Sequence, residues 1–192
     1  LHTLFPYTTL FGSVSPIVLA VVAPFSGYLS DKIGSLILTL FGLVFSSVGF
    51  LLIATLNVKS SLIFLMIFIV IMTIGNGMFQ SPNTSLIMST VTKNKLGIAG
   101  SINALVRNVG MVSGTTLATL LLYNRMSHKI GYRVIDYVNG RADVFMYGMR
   151  YVYLFAGIIS VIGAVITGIR YYNSRKIKTT KQIWSAKNQA VK

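Results

Sequence analysis

Residues 35–56 carry no charged side chain. At about 1.5 Å of rise per residue, a helix of that length crosses a hydrocarbon core of roughly 30 Å. Just before it, residues 27–34 set a carboxylate, Asp31, and an ammonium, Lys32, between glycines and between two apolar stretches. Fixed charges in that position belong at the water interface, so the octapeptide reads as a short loop joining two membrane helices. Further uncharged or nearly uncharged runs at 15–26, 62–91, 98–123 and 151–169, together with 36–56, predict five spans and an all-α integral membrane protein. Pro82 in the third run removes a backbone hydrogen bond and clashes with the carbonyl of Met78, which predicts a kink.

Composition leads to the same class. With 54% apolar and 10% charged residues, the 192-residue chain has too little polar surface to coat a soluble globule. A formal net charge of +14 would suit nucleic acid, but much of it lies in a terminal segment beside an apolar span. Membrane lipid is therefore the expected partner, and nucleic acid is not. Lys32, Lys93, Lys95 and the basic residues from Arg170 onward outnumber Lys59, Arg125, Lys129, Arg133, Arg141 and Arg150. The positive-inside rule then places the Lys32 turn and the tail in the cytoplasm of a multi-pass cell-membrane protein. The short connections alone point the other way. Residues 14–172 are read as the membrane region and 173–192 as a basic cytoplasmic tail. Residues 1–13 are set aside as a leader: they resemble a peptide translated from sequencing-adapter read-through, the other reading being a natural start to the first helix.

Catalytic chemistry finds no foothold. Cysteine is absent, His2 and His128 lie far apart, and the acids beyond Asp31 are Asp136 and Asp143 in one polar loop. No nucleophile has a base at a recognisable spacing, and no phosphate-cradling glycine loop occurs. No enzyme activity, cofactor or metal site is expected. Residues 124–149 hold Asn139-Gly140, a hairpin-turn signal, although a short interfacial helix fits equally well.

Polar groups inside the spans are more telling. Gly100, Asn103, Arg107, Gly110 and Gly114 recur at intervals of three and four and so share one helical face. Small residues allow close helix approach, and a mid-span arginine should face a bundle or watery cavity, or snorkel. Substrate contact and helix packing both fit Arg107. Asn76, Gln80 and Asn83 share another face and, with Asn103, suit either a cavity for amphipathic cargo or interhelical hydrogen bonding.

Gly27-x-Leu29-x-Asp31-Lys32-x-Gly34 resembles the loop motif of the major facilitator superfamily, departing at Ser35 and Leu36 where the fullest motif is basic. The run from Gly75-Asn76-Gly77 through Pro82 to Gly97-Ile98-Ala99-Gly100-Ser101-x-Asn103-Ala104-Leu105-x-Arg107-Asn108-x-Gly110-x-x-x-Gly114 is similar to the last third of the fourteen-helix drug/proton antiporter branch. The resemblance implies a partial C-terminal bundle of a secondary active transporter, whose N-terminal helices are its missing partner. It also implies proton-coupled efflux of a small amphipathic or cationic drug by alternating access. Gly27, Asp31, Lys32 and Gly34 would form the conformational-switch loop, with Asp31 clamping a helix end of the other bundle. None of the five predicted spans holds an acid for proton coupling, so that residue would lie in the missing helices. Two alternatives stay open: a same-fold transporter of another solute, and a small membrane scaffold or assembly subunit.

Overall fold

The computed structural model describes residues 5–189, with side chains described for 14–173. Five helices account for nearly all of it: α1 (Phe5–Ile33), α2 (Ser35–Ala54), α3 (Leu62–Ser89), α4 (Leu96–Ile130) and α5 (Ala142–Gln189), with a single 3-10 turn at Lys93–Lys95 before α4. No strand occurs among the described residues. Each helix contains a segment long and apolar enough to span a bilayer. The expected leader (1–13) and the tail beyond Asn173 fall on side chains outside the described residues.

Two expectations about connections need correction. Residues 27–34 are not a loop: α1 stays helical to Ile33, and Gly34 alone separates it from α2. Gly34 takes φ 99° and ψ 136°, a backbone region closed to residues with a Cβ. A Cβ there would meet nothing within 4 Å, so glycine is required for backbone freedom and not for space. The Gly34 amide donates to the Ser30 carbonyl at 2.9 Å, and Ser30 Oγ donates to Ser35 Oγ at 2.9 Å across the corner. The segment 124–149 forms neither a strand hairpin nor a separate helix. Instead α4 and α5 extend into it and leave residues 131–141 irregular.

Gly131 (φ 87°) ends α4 by donating to the Ser127 carbonyl at 2.9 Å, and Gly140 (φ 76°) turns the chain into α5. The segment is pinned to α4: Ser127 Oγ accepts from the Val134 amide at 2.8 Å, and Val134 packs with fully buried Met126 and Val144. Exposed Arg141 meets Asp143 at 3.1 Å, and that hydrogen bond holds its guanidinium pKa above the ordinary value. At the same end, Ser61 caps α3 by accepting from the Ile63 amide at 3.3 Å. Inside the spans, Thr39, Thr73 and Thr84 return their hydroxyls to carbonyls three or four residues earlier, which satisfies them without water. Pro82 lies fully buried within α3, and the helix continues beyond it to Ser89.

Packing runs α1 on α3, α3 on α2, α2 on α5 and α5 on α4, with slight contact between α3 and α4. The α2–α3 seam is built from glycines. A Cβ on Gly42 would sit 2.5 Å from the Phe79 amide nitrogen, one on Gly49 would sit 2.6 Å from the Met72 Cα, and one on Gly75 would strike the Ser46 amide. Ser46 Oγ donates across the seam to the Met72 carbonyl at 3.4 Å. On the α5 side, Ser160 Oγ donates to the Leu43 carbonyl at 3.2 Å, and Phe50 and Tyr153 rings lie 6.3 Å apart. In contrast, the most apolar stretch of α4 holds no fully buried residue.

Gly75→Val should therefore force α2 from α3 and destabilise the bundle by about 1–3 kcal/mol or more, the usual range for overpacking. Gly163→Ala, whose added methyl would meet Leu43 only at an ordinary 3.8 Å, should be tolerated. Thermal unfolding in detergent followed by fluorescence size exclusion checks both, and equal behaviour of the two variants would refute the glycine seam.

Candidate functional site

Between α1 and α3 lies a cavity of about 360 Å³ lined by Leu19 and Ala23 from α1 and by Gly77, Gln80, Ser81, Thr84, Ser85 and Met88 from α3. The α3 positions follow the 3.6-residue period, so one helical face supplies them all. Gly77 makes room for α1, since a Cβ there would be 2.8 Å from Val22 Cγ1. Lower on the same interface, Gly27 faces Ser81, whose Oγ is 3.6 Å from where a Cβ would stand. Three hydroxyls and one carboxamide thus meet an otherwise apolar wall. Such a surface can offer hydrogen bonds to a largely apolar ligand.

Gln80 also links this cavity to α4. With its carboxamide oriented to satisfy both groups, its oxygen accepts from Arg107 Nη2 at 2.9 Å and from Nη1. Gln80 lies nine residues before the end of α3 and Arg107 eleven beyond the start of α4, or roughly 13 and 16 Å along the helix axes. The pair therefore sits near mid-membrane depth. A guanidinium there costs roughly 2.5–3.5 kcal/mol, and one carboxamide oxygen answers only part of its five donors. Arg107 is otherwise exposed, so its remaining donors stand open to water or ligand.

The structure unites Gln80 with Arg107 and leaves the other expected positions apart. Asn76 is exposed, and Asn76, Asn83 and Asn103 lie outside the cavity wall. Gly100 approaches Met88, with 3.8 Å from the Met88 Cε to a Cβ position, but Gly110 and Gly114 have nothing within 4 Å. The expected packing face of α4 thus has no counterpart among the described residues beyond its first turns. Asp31 and Lys32 are exposed at the end of α1, and Lys32 Nζ sits 4.6 Å above the Tyr28 ring. Lys32 complements the negative end of the α1 dipole, whereas Asp31 opposes it, so the carboxylate has no local stabiliser in α1. Ser81, Thr84 and Ser85 were absent from the expected set. Their spacing with Gly77, Gln80 and Met88 is the signal that marks them. Among the described residues, no group of three or more His, Cys, Asp or Glu side chains gathers as for a metal ion.

The coupling of Gln80 to Arg107 should appear as non-additivity. Gln80→Ala and Arg107→Ala should each lower stability or activity, and the double variant should be no worse than the more damaging single, a coupling of about 1 kcal/mol. Arg107→Lys should recover only part, because an ammonium cannot present two coplanar donors to one oxygen. Additive losses, or full rescue by lysine, would break the pairing.

Comparison with known proteins identifies the family. The family model described as Major Facilitator Superfamily matches residues 5–191. The chain is similar to the riboflavin transporter RibZ of Clostridioides difficile (strain 630), with 34% identity over 127 residues, covering 62% of this chain and 28% of the relative. It is also similar to the uncharacterized transporter YebQ of Escherichia coli (strain K12), with 25% identity over 160 residues, covering 83% of this chain and 31% of the relative. The chain thus spans less than a third of the length of these curated relatives. No solved structure matches it significantly. Five membrane-length helices, the glycine seams between them and the family match over residues 5–191 together make the chain a member of the major facilitator superfamily.

Proposed function

We propose that the chain supplies the C-terminal helices of a secondary active transporter that moves a small amphipathic organic solute by alternating access, and that the Gln80–Arg107 pair lies on the solute path. The single observation carrying this reading is a mid-membrane guanidinium held on one side by a carboxamide at the edge of a hydroxyl-lined cavity. Charged groups at that depth serve passage or gating far more often than folding. Cargo with hydrogen-bonding edges on a flat apolar body fits the wall, and similarity to a protein described as a riboflavin transporter supports that class. Proton-coupled export of amphipathic or cationic drugs is the second reading, supported by the resemblance of residues 75–114 to the fourteen-helix branch.

The exposed face of α4 supports a partner bundle that seats against Gly110 and Gly114, and exposed Asp31 supports a clamp to a helix of that bundle. Substrate class is tested in proteoliposomes of the full-length protein under an imposed pH gradient, with riboflavin and the lipophilic cation tetraphenylphosphonium as probes. Riboflavin movement dependent on Arg107 is expected. Movement of the cation alone would favour the drug antiporter, and movement of neither across a broader solute panel would favour a scaffold.

Asp31→Asn should slow transport at unchanged membrane abundance, because the carboxylate biases the inward–outward equilibrium and does not build the bundle. Wild-type turnover in that variant would remove the clamp. Sidedness is accessible because the chain has no native cysteine. Asn139→Cys should react with an impermeant thiol reagent from outside the cell, and Ser185→Cys should not; the reverse labelling would invert the topology.

A further inference from the structure

At the end of the bundle opposite Lys32, α2 stops at Ala54, α3 begins at Leu62 and α5 begins at Ala142. Two hollows open there and share a wall. The outer one, of about 490 Å³, is rimmed by Lys59, Lys129 and Arg150 beside Tyr147. The inner one, of about 460 Å³, runs between α3 and α5 over Ile53, Leu65, Ile69, Phe145 and Met149. Leu56, Asn57, Val58, Met146 and Arg150 line both, so a cationic mouth leads into a largely apolar groove.

The charge at the mouth is only partly neutralised from within, by Asp143 on its wall. Asp143 is the carboxylate there, and its two oxygens take Arg141 Nε at 3.1 Å and Nη2 at 3.5 Å. Lys129 Nζ lies 4.7 Å from the Tyr147 ring centroid and donates to the Asp143 backbone carbonyl at 3.5 Å. Neither Lys59 nor Arg150 has a carboxylate partner among the described residues. Three cations therefore converge at the depth where span helices begin and end, which is the headgroup layer. The groove below lies at the depth of acyl chains. A free anion has no use for the groove and an apolar solute has none for the cations, whereas an amphiphile with an anionic head satisfies both.

We propose that this pair of hollows binds an anionic phospholipid, with its phosphate at Lys59, Lys129 and Arg150 and one acyl chain in the groove between α3 and α5. Met146 and Met149 give the groove an adaptable lining suited to a flexible chain. The bound lipid ties the α2–α3 connection to the start of α5, elements joined there by few polar contacts. The site is separate from the Gln80–Arg107 cavity, and its test does not depend on what cargo the protein carries.

The test is native mass spectrometry of the delipidated full-length protein, titrated with phosphatidylglycerol or phosphatidylcholine of identical acyl chains. Lys59→Gln/Arg150→Gln should weaken phosphatidylglycerol retention by about tenfold, given roughly 1 kcal/mol per basic residue near a lipid phosphate. Arg125→Gln/Arg133→Gln removes equal charge at the same end outside both hollows and should leave retention unchanged. Leu65→Trp, which fills the groove, should also weaken retention, with Met149→Phe as substitute if the first variant elutes as aggregate. Equal loss in both charge variants, equal retention of the two lipids, indifference to the groove-filling change, or full displacement by free glycerol phosphate would each overturn the site.

Discussion

Close approach of backbone to backbone between α2 and α3 is the constraint on which the rest of this bundle hangs. In a bilayer the hydrophobic effect does not drive helices together, because lipid tails are as apolar as leucine. Association must come from dispersion at short range and from the polar groups that short range brings together. Gly42, Gly49 and Gly75 remove the side chains that would hold the axes apart, and Ser46 then reaches the Met72 carbonyl. Once that seam is set, α1 docks on the free side of α3 and α5 on the free side of α2.

α4 is seated differently. It is anchored at one end by the Met126, Val134 and Val144 cluster, and at mid-span it meets α3 through Arg107 and Gln80. Gly97, Gly110 and Gly114 on it face open surface. A helix fixed at one end and lightly held in the middle has low local stability, which is where elements that move in function are generally found. The guanidinium–carboxamide pair therefore joins a helix packed on both sides to the least-packed one.

Helix number and the membrane class were legible in the sequence because absence of charge over a bilayer-spanning length admits few other structures. Gln80 and Arg107 were legible as polar residues in apolar spans, but their meeting was not. They stand on different helices, and sequence periodicity orders residues only within one. Asn76, Asn83 and Asn103 carried the same signal as Gln80 yet lie off the cavity wall, since a helical face spans a wide arc and a cavity touches only part of it. The connections were misjudged for a local reason. Charge and glycine at 27–34 suggested unwinding, but Asp and Lys are tolerated in a last helical turn, and one glycine of suitable φ suffices to reverse the chain. Around residue 130, helix propensity carried α4 past the point where hydropathy ended.

A joint of one residue has two rotatable bonds. With α1 and α2 meeting at Gly34, and Ser30 bonded to Ser35 across the corner, the two helices behave as arms of a stiff bracket. A long loop would absorb displacement at Asp31 in its own slack, but this corner has almost none. Force applied to the carboxylate passes as torque into α2, and from α2 through the glycine seam into α3 and the wall that carries Gln80. The corner is thus a short joint, and its shortness, more than its charge, is what would carry a pull at the membrane surface to mid-depth.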